Sequence, residues 1–174
     1  FEDGGAFSGV ADAARYDNLY SDSTKLVTWL DNHDFGPHND WNRRYGGSVE
    51  NLAACMNFMF TWRGIPSVYY GTESQFKKGA YTDFHDASGI QKSLNVTGRA
   101  YFGEEFATAQ NTTLYAHIKK LNDIRKAIPA LQSGNYNFAG NYPGNGIGFT
   151  RSTTGSFVCV GLAKDGAANF NFTG

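Results

Sequence analysis

Leu26-Val27-Thr28-Trp29-Leu30-Asp31-Asn32-His33-Asp34 is a short apolar run that ends in four polar side chains. A run of this length predicts a strand buried on both faces, as in a parallel sheet. A polar, Gly-rich segment follows from Phe35 to Gly47. Ser48 then offers an N-cap to a run holding Val49, Leu52, Ala53, Met56, Phe58, Met59 and Phe60, which predicts a helix with a wide apolar face. After the turn Arg63-Gly64-Ile65-Pro66, the stretch Ser67-Val68-Tyr69-Tyr70 repeats the buried-strand pattern and closes at Gly71-Thr72-Glu73. Strand, loop, helix and strand in this order predict parallel neighbours joined by a right-handed crossover. That arrangement sets Asp34 and Glu73 at the same C-terminal edge.

Further along, Lys77 to Gln110 reads as irregular and too long for a plain connector, hence as a functional surface loop. Thr113 is expected to cap a second helix, with Leu114, Ile118, Leu121, Ile124 and Ile128 at helical spacing until Pro129 ends it. Beyond Leu131 the pattern changes to short alternating runs, Gly146 to Arg151 and Ser156 to Leu162, which predict antiparallel β structure. The expected division is therefore 1–131 and 132–174.

Composition narrows the class of partner. A net charge of −1 with interspersed signs offers no basic field for a phosphate backbone, so nucleic acid is not an expected partner. No apolar run approaches the roughly 20 residues of a membrane-spanning helix, so no membrane partner is expected. The chain opens at Phe1 without an initiator Met and stops at Gly174 without a natural-looking terminus, so it is expected to be a piece of a larger protein. Aromatic residues at 16% with 21 glycines suit sugar-stacking, loop-rich secreted proteins, and equally a packed aromatic core. Three Asn-X-Ser/Thr sites, at Asn95, Asn111 and Asn171, are compatible with a secreted protein. Two cysteines cannot make a disulfide framework, and Cys55 and Cys159 are both expected as buried small apolar residues.

The polar cluster at the end of the first strand lies where a (β/α)8 barrel displays catalytic groups. The simpler reading is that one carboxylate caps the next turn and His33 is satisfied in the core. On the residues alone the simpler reading is the better one, and position does not settle the matter; a resemblance bears on it. Leu30-Asp31-Asn32-His33-Asp34, preceded by Val27-Thr28-Trp29, resembles the seventh-strand motif of the α-amylase family, and Arg63 to Glu73 resembles its eighth-strand motif. The two stand in the family's order, one helix apart, most like cyclodextrin glycosyltransferase-type members and related amylases.

This resemblance implies an α/β fold: the C-terminal part of a (β/α)8 TIM barrel, strands 7 and 8 with their helices, followed by the start of an antiparallel β-sandwich domain. It implies a retaining α-glucan-active glycoside hydrolase acting on α-1,4 bonds of starch or maltooligosaccharides. Asp34 corresponds to the carboxylate that binds sugar hydroxyls before the scissile bond, and His33 to a hydrogen-bond donor on the same ring, contacts that strengthen as an oxocarbenium-like transition state develops. Asn32 is expected to shape the turn, Tyr69 and Tyr70 to pack, and Glu73 to enter a structural ion pair. The nucleophile and the acid/base of a retaining enzyme stand about 5 Å apart. In the family they lie on the fourth and fifth strands, upstream of Phe1, so the chain alone is expected to be inactive and to work with an N-terminal remainder of the same enzyme. No cofactor or metal is expected within this chain, calcium in the parent having its ligands mostly upstream; Asp83, His85 and Asp86 read as loop solvation.

The sequence departs from the resemblance at Phe35 to Tyr45, where Trp41 or Tyr45 would either stack on a glucosyl unit or pin the loop. The loop after Gly79 shows no Asp and Arg pattern for more distant glucose units. Three other readings compete. Glycosyl transfer shares the first chemical step, and a non-catalytic amylase-like subunit shares the fold. An HD-type metal phosphohydrolase would need His33 and Asp34 on a helix, and His38, His85 and His117 show no metal spacing.

Overall fold

A computed structural model describes residues 7–34, 43–82, 93–138, 144–164 and 166–172. A short helix α1, Ser8–Ala14, leads to strand β1, Val27–Thr28. Helix α2, Val49–Thr61, then carries the chain to strand β2, Ile65–Pro66. The Ser48 hydroxyl accepts from the Asn51 amide at 3.1 Å, so the expected N-cap is in place. β1 and β2 pair in parallel, Val27 opposite Ile65 and Thr28 opposite Pro66, as the strand-helix-strand order predicts.

β1 is shorter than its apolar run implies, and β2 falls on Ile65–Pro66, expected as a turn, in place of the expected strand Ser67 to Tyr70. Val68 to Tyr70 runs on without strand pairing, and Val27, Trp29 and Ile65 are 59%, 46% and 51% exposed. Burial on both faces fails for a simple reason: among the described residues β2 is the sole strand beside β1.

Helix α3, Phe106–Ala109, precedes helix α4, Thr113–Ala127. The cap of α4 is Thr112, not Thr113: its hydroxyl accepts from the Tyr115 amide at 3.1 Å, while Thr113 already lies in the first turn. Pro129 does end α4, and at the same time opens helix α5, Pro129–Ser133, where its missing N–H costs nothing. Strands β3, Asn135–Asn137, β4, Gly146–Thr153, and β5, Ser156–Ala163, form an antiparallel sheet in the order β3-β4-β5. Cys55 is buried in α2 as expected, but Cys159 is exposed on β5, on the face of that strand opposite Val160.

Two apolar clusters share α2. Leu52, Met56, Met59 and Phe60 pack with Tyr45 and with Leu114, Ile118 and Leu121 of α4. At the other end Trp62 packs with Leu131, Ile147, Phe149 and Val160, its ring 5.0 Å from that of Phe149 in an edge-on contact. The C-terminal carbonyls of α2 are met by arginines. Arg125 donates to Phe60 O at 2.8 Å, and the fully buried Arg151 donates to Thr61 O at 3.0 Å and to Trp62 O. Cations at the negative end of the helix dipole satisfy carbonyls that no intrahelical amide can reach.

Candidate active site

The polar cluster after β1 divides into one buried and one open carboxylate. Asp31 is 3% exposed and accepts a hydrogen bond from the Thr72 hydroxyl at 2.9 Å, which joins the end of the first motif to the end of the second. Burial pushes its carboxyl above the ordinary value of 3.8, opposed by the Arg44 charge and by the Thr72 hydroxyl. Asn32 accepts from the Asp34 amide at 2.7 Å, a side-chain turn that fixes the backbone where the strand ends. The expected role of Asn32 in shaping the turn has this geometry.

Asp34 stands at the rim with its side chain 44% exposed. His33 Nε2 lies 3.1 Å from Asp34 Oδ2, and Arg99 donates from Nη2 to Asp34 Oδ1 at 2.7 Å. Arg99 also donates from Nε to the His33 carbonyl at 3.0 Å. The two candidate residues are thus together, and a third, Arg99, clamps both. The sequence reading missed Arg99 because nothing near it in the chain announces it: 65 residues separate it from Asp34. Its one local cue is the preceding Gly98, where an added Cβ would meet Arg44 Cγ at 2.6 Å, so the backbone must pass that side chain closely.

Arg44 lies beneath this rim and is 3% exposed. It donates from Nη2 to Tyr70 O at 2.6 Å and from Nε to Phe76 O at 3.3 Å, with its guanidinium 4.5 Å from the Tyr69 ring centroid. Tyr69 is pushed up to about 12 by burial and by its hydrogen bond with Tyr70, and the rings of the two lie 4.6 Å apart. The Tyr70 hydroxyl donates to Ala100 O at 2.8 Å, so this tyrosine pins the segment that follows Arg99.

Of the two readings for Tyr45 the structure has the second: it is buried and donates to the Ser48 carbonyl at 3.1 Å, so it pins the entry to α2. One expectation is corrected. Glu73 makes no ion pair among the described residues; it lines a groove with Tyr115 and Lys119 of α4, because the turn Thr72–Ser74 carries it toward that helix. Trp41 and His38, and with them Asp83, His85 and Asp86, lie outside the described residues, among which no cluster of metal-ligating side chains occurs.

No family model matches the chain. Over 116 residues, 66% of its length, it is 34% identical to a cyclomaltodextrin glucanotransferase of Thermoanaerobacterium thermosulfurigenes. Over 129 residues, 72% of its length, it is 30% identical to a β/α-amylase of Paenibacillus polymyxa. The chain belongs to the α-amylase family. It spans only 13% and 9% of the lengths of these two relatives. Among solved structures, γ-CGTase from alkalophilic Bacillus clarkii superposes over 92% of this chain and 21% of that one, with a TM-score of 0.63 at 24% identity. An α-amylase from Geobacillus thermoleovorans gives 0.62 at 18% identity, over 91% of this chain and 32% of that one. At those identities the likeness carries the fold alone: this chain shares the architecture of a part of α-amylase-family enzymes.

Proposed function

We propose that this chain forms the seventh- and eighth-strand part of an α-amylase-family (β/α)8 barrel, residues 1–131, followed by the start of a C-terminal antiparallel β domain, residues 132–174. In this reading its parent is a secreted, retaining enzyme acting on the α-1,4 bonds of starch or maltooligosaccharides. The observation that carries the reading is the pairing of an open carboxylate, Asp34, with a cation-bearing rim of His33 and Arg99 at the end of a parallel strand.

A carboxylate oxygen has lone pairs to spare after one hydrogen bond. Asp34 can therefore accept from two sugar hydroxyls while Arg99 holds it. His33 donates to the same ring. Such contacts raise the rate to the extent that they tighten as the ring flattens toward the oxocarbenium ion. Asp34 is not the nucleophile: a retaining enzyme needs two carboxylates about 5 Å apart on either side of the bond. Of its neighbours, Asp31 is buried against Thr72 and Glu73 is turned toward α4. The nucleophile and acid/base come from an N-terminal remainder of the same enzyme, and this chain alone turns nothing over.

Glycosyl transfer in place of hydrolysis is the second reading. The most similar relative above is itself named a cyclomaltodextrin glucanotransferase, and the two reactions diverge only when an acceptor replaces water.

The test is release of reducing ends from soluble starch. The 174-residue chain should give none, the full-length protein should be active, and Asp34→Asn in the full-length protein should lower kcat about a hundredfold. Turnover by the isolated chain, or an Asp34→Asn enzyme within threefold or so of the parent, would overturn the assignment.

A further inference from the structure

Among the described residues, Arg44 is a buried side chain that touches several of the segments meeting beneath the rim. Its guanidinium is 4.5 Å from the Tyr69 ring and donates to the carbonyls of Tyr70 and Phe76. Its stem fills the space where Gly98 passes, and its Nη2 fills the space beside Gly71: an added Cβ would meet Arg44 at 2.6 Å in the first case and 2.9 Å in the second. With Asp31 it lines the same void of about 10 Å³, and its charge is the main one opposing the cost of burying that carboxylate. Asp31 directly precedes Asn32, whose side chain accepts the Asp34 amide, and Gly98 precedes the arginine that grips Asp34.

We infer that Arg44 is a positioning residue that, through Asp31 on one side and Gly98 on the other, sets the distance between Asp34 and Arg99. The inference rests on the proposed role of Asp34, but the geometry it asserts can be read without any turnover. Arg44 contacts neither substrate nor reacting atoms. Its size and planarity matter as well as its charge, because a lysine is a compact cation that cannot fork to two carbonyls while lying flat on a tyrosine ring. A displacement of Asp34 by about 1 Å is enough to cost up to a hundredfold in rate.

The test compares Arg44→Lys, and Asp31→Asn with Arg44→Met, against the parent. The double change removes both buried charges together, so no orphaned carboxylate is left to unfold the chain. In the full-length protein acting on soluble starch, kcat should fall about tenfold or more while KM moves less than about threefold. In ¹⁵N spectra of the full-length protein, the Arg99 Nε–H resonance should shift as the bond to the His33 carbonyl opens. Folded variants that keep both kcat and the Arg99 resonance would overturn the inference. Should the parent show no action on starch, the proposed function falls and the Arg99 resonance alone decides; should the double variant not fold, Arg44→Lys decides.

Discussion

Arg99 Nη2 donates to Asp34 Oδ1 at 2.7 Å while His33 Nε2 sits 3.1 Å from Oδ2, so each oxygen of the rim carboxylate faces a nitrogen. The Arg99–Asp34 pair is partly open, with side chains 31% and 44% exposed, and solvent screens it. Arg99→Ala should therefore change unfolding stability by less than about 1 kcal/mol. Its effect should fall on activity: kcat/KM of the full-length protein drops about tenfold or more because Asp34 is no longer aimed. Arg99→Lys should not restore it, since one ammonium cannot serve both Asp34 and the His33 carbonyl. Melting curves and steady-state kinetics on the same samples separate the two effects, and a large stability loss with unchanged kinetics would contradict this account.

Acid sensitivity should come from a different carboxylate. Asp17 meets Arg63 through a two-point fork at 2.7 and 2.6 Å and accepts the Tyr136 hydroxyl proton at 2.6 Å. Burial alone would raise its carboxyl, but these bonds outweigh burial and hold it below 3.8. A depressed folded value means that the stabilisation is complete above the unfolded value near 3.8 and disappears as pH falls through the folded one. Asp17→Asn should cost about 3 kcal/mol at pH 7, because Arg63 is left buried without a counter-charge. Urea midpoints of parent and variant should converge as the pH is lowered from 7 through the folded value, below 3.8, where the parent carboxylate is itself protonated. An equal gap at both ends of that range would mean the charge is not what holds Arg63.

The local signals were legible in the sequence where one residue decides the outcome. Ser48 capped α2 as expected, and the parallel pairing of β1 with β2 followed from the strand-helix-strand order. The boundary at Thr112 was missed by one residue because Thr112 and Thr113 are chemically the same, and only the backbone tells which one leaves the helix. Burial was illegible at Val27, Trp29 and Cys159 because it depends on what lies alongside, which an apolar run does not record. The burial of Tyr45 with Leu114 and Ile118 and the arrival of Arg99 at Asp34 are tertiary events for the same reason: each depends on residues far away in the chain.

Arg151 should be the costliest arginine to lose. It is fully buried on β4, and among the described residues it meets no carboxylate and donates to carbonyls alone: Gly134, Thr61 and Trp62. Burial, with the charges of Arg125 and Arg63, pulls its pKa down to about 10, so the site holds the cation under strain. Arg151→Met removes that strain and at the same time orphans carbonyls at the end of α2 and before β3. Each buried orphan costs about 1–3 kcal/mol, so a net loss of about 3 kcal/mol is expected in equilibrium unfolding. Arg151→Lys should rescue little, because one ammonium cannot span the Gly134 and Trp62 carbonyls. A methionine variant as stable as the parent would show that relief of the buried charge outweighs the lost bonds.

The open side of β1 yields the last prediction. Val27 and Trp29 border an apolar groove of about 490 Å³ whose other walls include Val10, Phe58 and Met59, and β1 pairs with β2 alone among the described residues. A strand edge with half-exposed apolar side chains is a template for further pairing, and left bare it promotes association. The proposed N-terminal remainder of the barrel would lay its own strand along that edge. The chain alone should therefore bind the dye ANS and self-associate as its concentration rises. In the full-length protein, ANS binding should be lost and Trp29 emission should shift to the blue as the groove fills. The variant Val27→Lys separates a specific edge from general stickiness. It should suppress self-association of the chain and, in the full-length protein, lower stability by about 2 kcal/mol or more, because a charge is then forced under the incoming strand. Self-association that Val27→Lys leaves untouched would locate the sticky surface elsewhere, and would remove β1 from the proposed seam.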